Sequence, residues 1–491
     1  MTTSNRVVRL SRRRALAGGL LALGALPIVA ACSGQAPASP TAPVAAAAAT
    51  PSGSVNPKPG QTSVPAASTA AAPTPSTKAP AAAPTTAPAA ATGPSSASSG
   101  KIIYMHWFTS ALPGGKAQAP VLDAFTKAFP AIKVDSQPTP GGNSYYQKLL
   151  TMMAGGVPPD AFTLALNELA PLQGKSALAP LDDFASQSGS NGLDKQDIVP
   201  GILEAASLQG HLYGLPMNLD TQAMYYNTDL FKKAGVGTPT ADWSWENEWL
   251  KAAEALTTGS GAQKQFGAIL PPWQIIIWAN GGDILSSDEK KCVMDQAPAT
   301  QAIQFLEDLR FKYHVAPQVT DLQTENSNDL FNTGRVGMNF SQSSQIGRLV
   351  VTWKAKVPWE VAPLPKGSAG PANVMTFTSL GIAKSSKSAQ DAWTFNRFLV
   401  SPESVKLWVQ TVSWVFMYKS TLSIQSPLFK PGQAKIFLDA AANAHTEPRI
   451  SNYSQILDVI NKEMGVAVNE GKEPAQAATT AIVKEVNPLL T

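Results

Sequence analysis

The sequence predicts an α/β protein whose globular part forms two lobes behind an exported leader and a tether. Short apolar strands alternate with amphipathic helices from Lys101 onward, the pattern of sheets covered by helices. The stretch from Lys101 to Thr491 is about 390 residues, more than one ordinary hydrophobic core holds. Ahead of it, composition changes twice, at Cys32 and again at Gly100.

The leader carries Arg12, Arg13 and Arg14, then an apolar run from Ala15 to Ala31, then Val29-Ala-Ala-Cys32. A basic start, a short apolar centre and small residues before a cut describe a signal peptide rather than a spanning helix. Val29 to Cys32 resembles the lipobox of bacterial lipoproteins, which implies that Cys32 is acylated and anchors residues 33 onward to the outer face of the cytoplasmic membrane. A chance thiol in a cleaved peptide, or a single-pass anchor, is the plainer alternative. Ser11-Arg12-Arg13 is also similar to a twin-arginine signal, but Ala15 and Ala17 stand where Phe and Lys are usual. Both export routes therefore stay open.

Residues 33–100 are dominated by Ala, Pro, Ser, Thr and Gly, with Lys58 and Lys78 as the charges and no aromatic or acidic residue. Such a segment buries too little apolar surface to offset the entropy of ordering, so a disordered tether is expected. As a flexible coil it reaches on the order of 50 Å. The net charge of +4 is too small to suggest nucleic acid, and no Lys/Arg cluster is interleaved with aromatics. With Cys32 lipidated, Cys292 has no disulfide partner and reads as a structural thiol.

Lys101 to His106 opens the globule as a strand, and Val121, Leu122, Phe125 and Phe129 share one helical face. Ile132-Lys-Val134 reads as the next strand, followed by a helix from Tyr145 to Ala154. Further helices are predicted at Trp245 to Leu256, Ala299 to Tyr313, Ala389 to Leu399 and Pro402 to Thr411, each with apolar residues three and four apart. No internal repeat is evident.

Gly155-Gly-Val-Pro-Pro-Asp160, Leu178-Ala-Pro-Leu-Asp182, Leu212-Tyr-Gly-Leu-Pro216, Met224-Tyr-Tyr-Asn227 and Leu230-Phe-Lys-Lys-Ala-Gly235 occur in that order. Phe331 to Met338, Pro363 to Gly367, Leu380 to Lys384, Ala392 to Phe395 and Phe398 to Glu403 follow. Together these segments resemble the extracellular solute-binding proteins of ABC importers, in the group that contains maltose-binding protein. The resemblance covers essentially the whole globule. It implies the two-lobed periplasmic-binding-protein fold, with residues 101–219 plus 376–412 in the first lobe and 220–375 plus 413–491 in the second. The chain would cross between lobes near Asn218 to Thr221, Val374 to Ser379 and Thr411 to Phe416. Closure of such a hinge on a ligand lets membrane subunits distinguish loaded from empty protein. The implied partners are a small solute, the importer's permease subunits and, through the lipid, the membrane. A monomer without cofactor, metal or nucleic acid is expected.

Sugars present C–H faces and a rim of hydroxyls, so their sites need aromatic platforms with carboxylates and amides. Carried over from the resemblance, the candidate ligand contacts are Trp107 after the first strand, Asn167 and Glu168 after Asp160, Asp220 beside a hinge, and Trp273 after Pro271-Pro272. Where the family floors its cleft with Trp, this chain has Asn339-Phe-Ser-Gln-Ser-Ser-Gln345, so Ser341, Ser344 or Gln345 would act by hydrogen bonding. Met375-Thr-Phe-Thr-Ser379 replaces a Gly-rich run, with Thr378 as its candidate contact, and Trp414 would restore a platform. These departures put a maltodextrin assignment in doubt; the expectation is a mono- or oligosaccharide.

Other residues have plainer readings. Trp278 lies in an apolar stretch and reads as core, and Trp243, Trp245 and Trp249 read as packing at a helix start. Asp160 reads as a loop residue and Asp182 and Asp183 as a helix cap. A polyol, phosphoester or peptide remains an alternative ligand, and a ligand sensor or adhesin an alternative role. A phosphorylated ligand would draw on Arg335, Arg348 or Arg449, the few candidate cations. A glycoside hydrolase would need a carboxylate pair, of which Asp220 with Glu168 is the conceivable one. No nucleophile elbow, His-Glu-x-x-His or complete phosphate loop supports catalysis, and His106, His211, His314 and His445 lack metal-ligand spacing.

Overall fold

The computed structural model describes residues 100–490 apart from 200 and 324. The leader with Cys32 and the tether up to residue 99 lie outside the described residues.

Two sheets organise the chain. In the larger, the strands run in the order 415–416, 215–220, 376–382, 161–165, 101–106, 133–138. Lys101–His106 pairs in parallel with Lys133–Pro138 and Ala161–Ala165, while Thr376–Ile382 runs antiparallel to both its neighbours. The parallel strands are joined through the helices Pro113–Ala128 and Asn143–Ala154, so both faces can be covered. Tyr104, Phe125, Trp393 and Phe395 are fully buried in the first core. The second sheet has the order 359–362, 222–227, 336–342, 266–268. Its core holds Trp245, Trp249, Ile303 and Leu306 together with Ile456 and Ile482 of the two C-terminal helices.

Most helices fall close to their expected places, but the first long one begins at Pro113 rather than Val121. Pro113-Gly-Gly115 opens this helix. In the fold, proline occupies the first helical turn, where its missing N–H costs nothing. The two glycines allow close approach: a Cβ on Gly115 would fall 1.9 Å from the Thr109 carbonyl oxygen. Trp245–Trp249 is a π-helical turn leading into the α-helix Leu250–Leu256, and both tryptophans are buried, as the packing reading requires.

Two connections between the sheets lie close together. Asp220 ends a strand of the large sheet and Gln222 begins one of the second sheet, with Thr221 buried between them. Met375 separates Asn373–Val374 from Thr376–Ile382. The third was expected at Thr411 to Phe416 and lies further on. Val415–Phe416 pairs with Asn218 and Leu219 at the edge of the large sheet, and Tyr418 bridges Ile198. These side chains are buried in the first core, and the chain reaches the second sheet at Lys430, whose Nζ donates to the Trp359 carbonyl at 2.9 Å, and then with Gln433–Ala440.

Asn373 ties two crossings together. Its Oδ1 accepts from the Gln222 and Val374 amides at 2.8 and 2.9 Å, and its Nδ2 donates to the Gln222 carbonyl at 2.9 Å. The residue is buried, so its loss strands backbone groups without water. Asn373→Ala is expected to lower stability by about 2–4 kcal/mol in urea unfolding; an unchanged midpoint would show that the tie is dispensable.

Candidate functional site

A cavity of ≈ 240 Å³ lies where the crossing strands meet. Its walls come from both lobes: Trp107, Phe108, Gly114, Thr378 and Trp414 from the first, Gln342, Ser344 and Arg348 from the second, and Asp220 at the crossing.

The aromatic wall is built on the end of the first strand. His106 is buried, with Nε2 2.8 Å from Ser136 Oγ and Nδ1 accepting the Phe108 amide at 3.2 Å. That pair of bonds requires a neutral ring with its proton on Nε2, and burial pulls its pKa down to about 4. The Trp107–Phe108 turn is thereby held in place. Trp107 packs edge-on against Tyr145 at 5.3 Å, whose hydroxyl donates to the Thr163 carbonyl at 2.9 Å. Trp414 lies 5.3 Å from Phe108 and 5.4 Å from Trp408, ring centre to ring centre. Gly114 makes this approach possible, since a Cβ there would come within 3.3 Å of the Trp414 ring.

The polar wall centres on Asp220. Its Oδ2 accepts from Asn218 Nδ2 at 2.7 Å, while its Oδ1 and the Asn218 Oδ1 are both buried without a partner. Burial pushes the Asp220 carboxyl up to about 6, against the Asn218 hydrogen bond and the positive charge of Arg348, which draw it down. A buried carboxylate oxygen without a partner is costly, and a hydrogen-bond donor placed beside it would offset that cost. The facing segment is pinned from behind. Tyr225 donates to the Gln342 carbonyl at 2.7 Å, and Ser413 Oγ donates to the Ser343 carbonyl at 2.5 Å and accepts the Gly347 amide at 2.8 Å.

Of the residues expected from sequence, Trp107, Asp220, Ser344, Thr378 and Trp414 are brought together on the cavity. Asn167, Glu168 and Trp273 do not line it. Asn167 and Glu168 sit on the 3-10 turn Leu166–Glu168, half-buried against the helix Tyr453–Met464, and burial raises the Glu168 carboxyl. Trp273 is the first residue of the helix Trp273–Ala279 and packs against the second core. Pro271 and Pro272 precede it and Ile275 to Trp278 bury the helix, so the ring is drawn toward the core. Ser341 and Gln345 stay off the cavity, and Gln345 donates to Asn328 Oδ1 at 2.9 Å. Sequence reasoning missed Asn218 and Gln342. Asn218 stands two residues before Asp220 on the same strand and so shares its face; that spacing was the available signal. Arg335 pairs with Glu325 and Arg449 bonds backbone carbonyls, which leaves Arg348 as the cavity's arginine.

Residues 110–406 match the family of bacterial extracellular solute-binding proteins. The chain belongs to that family. A binding protein of Brucella abortus is 25% identical over 383 residues, covering 74% of this chain and 89% of the relative. An ABC substrate-binding protein of Listeria monocytogenes in complex with cycloalternan superposes with a TM-score of 0.71 at 24% identity, covering 79% of this chain and 98% of that one. UgpB of Mycobacterium tuberculosis in complex with glycerophosphocholine gives 0.69 at 21%, covering 80% and 98%. These likenesses show the two-lobed periplasmic-binding-protein fold. Among the described residues, no helix is long and apolar enough to cross a membrane and no cluster of three metal-ligating side chains occurs.

The Asp220 carboxyl carries a pH prediction. Its folded pKa is raised, so between the ordinary carboxylate range and about 6 the folded protein holds a proton that the unfolded chain releases. The group's contribution to stability therefore falls as pH rises through that window. Binding that uses the carboxylate as acceptor has the opposite sense: affinity should be flat above about pH 7 and weaken steadily below about pH 6. Calorimetric titration between pH 5 and 8 checks this, and Asp220→Asn should remove the dependence.

Proposed function

We propose that the protein is the substrate-binding component of an ABC importer and captures a carbohydrate, a mono- or oligosaccharide, in this cavity by closing its lobes. The observation that carries the reading is Asp220, a buried carboxylate with a free acceptor oxygen, set in a cavity lined by Trp107 and Trp414. A sugar fits both demands, since its hydroxyls donate to the carboxylate and its C–H face lies on an indole. At ≈ 240 Å³ the cavity lies below the range of about 300–1,000 Å³ that holds drug-sized ligands, which favours a short saccharide. The Listeria relative's cycloalternan supports the carbohydrate class.

A phosphoester is the second reading, favoured by Arg348 in the cavity and by the glycerophosphocholine of the mycobacterial relative. Asp220 weighs against it, because a carboxylate whose charge reaches Arg348 also repels a phosphate. The relatives are solute-binding proteins, and a hydrolytic role draws no support from the site: Glu168, the second carboxylate such chemistry would need, is off the cavity.

Thermal-shift and calorimetric screening of the purified protein against saccharides, polyols, phosphoesters and peptides tests the reading. A saccharide should raise the melting temperature and be recovered intact. A response to phosphoesters alone, or a cleaved sugar, would overturn it. For the saccharide that binds, Trp414→Ala and Asp220→Asn should each weaken affinity by roughly ten- to a hundredfold, from lost stacking and lost charge-assisted hydrogen bonds.

The anchoring role of Cys32 belongs to the same proposal: acylation would hold the globule at the outer face of the cytoplasmic membrane, near the permease. Cys32→Ser should shift the protein from the membrane fraction to the soluble fraction on cell fractionation. Unchanged membrane association would contradict the lipid anchor.

A further inference from the structure

Away from the cavity, residues 446–452 reach from the second lobe to the first. Their roots lie in the second lobe. His445 stacks on Trp278 with ring centres 4.9 Å apart, Glu447 accepts from Gln274 Nε2 at 2.9 Å, and Ile450 and Tyr453 pack into the second core. Burial raises the Glu447 carboxyl, in keeping with its enclosed place at the root of the segment. The Arg449 amide points the same way, lying 3.4 Å from Glu289 Oε1.

The tip of the segment touches the first lobe. Arg449 Nη1 donates to the Glu204 carbonyl at 2.6 Å and lies 3.3 Å from the Ser207 carbonyl. Glu204 lies in the short helix Ile202–Ala205 that leads into the hairpin Ser207–Leu212, which belongs to the first lobe. Close by, Ser451 Cβ lies 2.7 Å from where a Cβ on Gly174 would stand, so only glycine at the end of that first-lobe helix admits the segment. The helix that follows, Tyr453–Met464, covers the turn bearing Asn167 and Glu168.

We propose that residues 446–452 are an interlobe latch, with Arg449 as its anchor, that sets how readily the cleft closes at the Asn167–Glu168 end. Contacts joining the lobes exist only while the lobes are together, so they stabilise the closed form without touching the ligand. A solute's apparent affinity scales with the population of the form it binds. A guanidinium on two carbonyls makes charge-assisted bonds that a neutral side chain cannot replace. The latch rests on closure between the lobes and not on the identity of the solute.

Disulfide trapping in the full chain tests it without ligand. Lys175→Cys with Ser451→Cys places two thiols beside the contact while keeping Gly174, and the 175–451 crosslink is followed by peptide mass spectrometry in oxidised glutathione. Cys292 does not compete, being buried with its thiol pushed up to about 11, and any Cys32 adduct maps separately. The crosslink should form readily and Arg449→Ala should slow it about five- to tenfold. Arg449→Lys keeps charge and stem but not the fork, and should slow it about two- to threefold. Equal rates in all three backgrounds, or no crosslink in the parent pair, would overturn the latch. Because no sugar is used, failure here leaves the carbohydrate reading standing, and a failed carbohydrate screen leaves the latch standing.

Discussion

The fold and the site both depend on the crossing at Asp220–Gln222. One residue, the buried Thr221, separates a strand of the large sheet from a strand of the second sheet, and its hydroxyl donates to the Phe437 carbonyl at 2.7 Å. The second crossing lies beside the first, with Thr376 paired to Asp220 and Asn373 bonded to both backbone groups of Gln222. Strands this short and this well paired admit rotation at a few backbone angles while keeping each sheet intact. They also deliver Asp220, Asn218 and Thr378 to one place at the junction of the lobes. The crossing and the polar wall are thus one structure, and on the proposed function a ligand donor to Asp220 Oδ1 would act at the crossing itself.

The aromatic side follows from packing. Trp414 belongs to a run of rings through Phe108, Trp408 and Phe416 that continues into the first core. Trp107 is tied through Tyr145 to the opposite face of the large sheet. Platforms held this way lose little side-chain freedom on binding, which suits recognition of a flat apolar face. Ser413 then docks the helix Ser344–Gly347 against this corner, so the second-lobe wall is aligned through backbone bonds rather than through a stacking ring.

The sheet-and-helix alternation was legible in the sequence because strands such as 101–106 and helices such as 389–399 carry strong periodicity. Trp107 and Asp220 were expected through the family resemblance, and the fold brings both to the cavity. Trp273, Asn167 and Glu168 do not line that cavity, since position along the chain says little about which element packs over a side chain. Trp273 is drawn to its own core, and the turn with Asn167 and Glu168 is covered by a helix nearly three hundred residues later. The third crossing was misplaced for a similar reason: Val415–Phe416 is apolar enough to extend the first sheet, so the chain stays with that lobe longer. Gly114 and Gly174 had no signal of their own, because their roles are close approaches seen only across elements distant in sequence.

The central claim is that one small polyhydroxylated solute is held between the lobes by Asp220 and the two tryptophans. A crystal structure of the protein with the saccharide selected by screening tests it most directly. The account predicts ring density beside Trp107 or Trp414, a hydroxyl within hydrogen-bonding distance of Asp220 Oδ1, and contacts from Ser344 or Arg348 on the second lobe. A saccharide bound to one lobe only, or at a site away from Asp220, would contradict it.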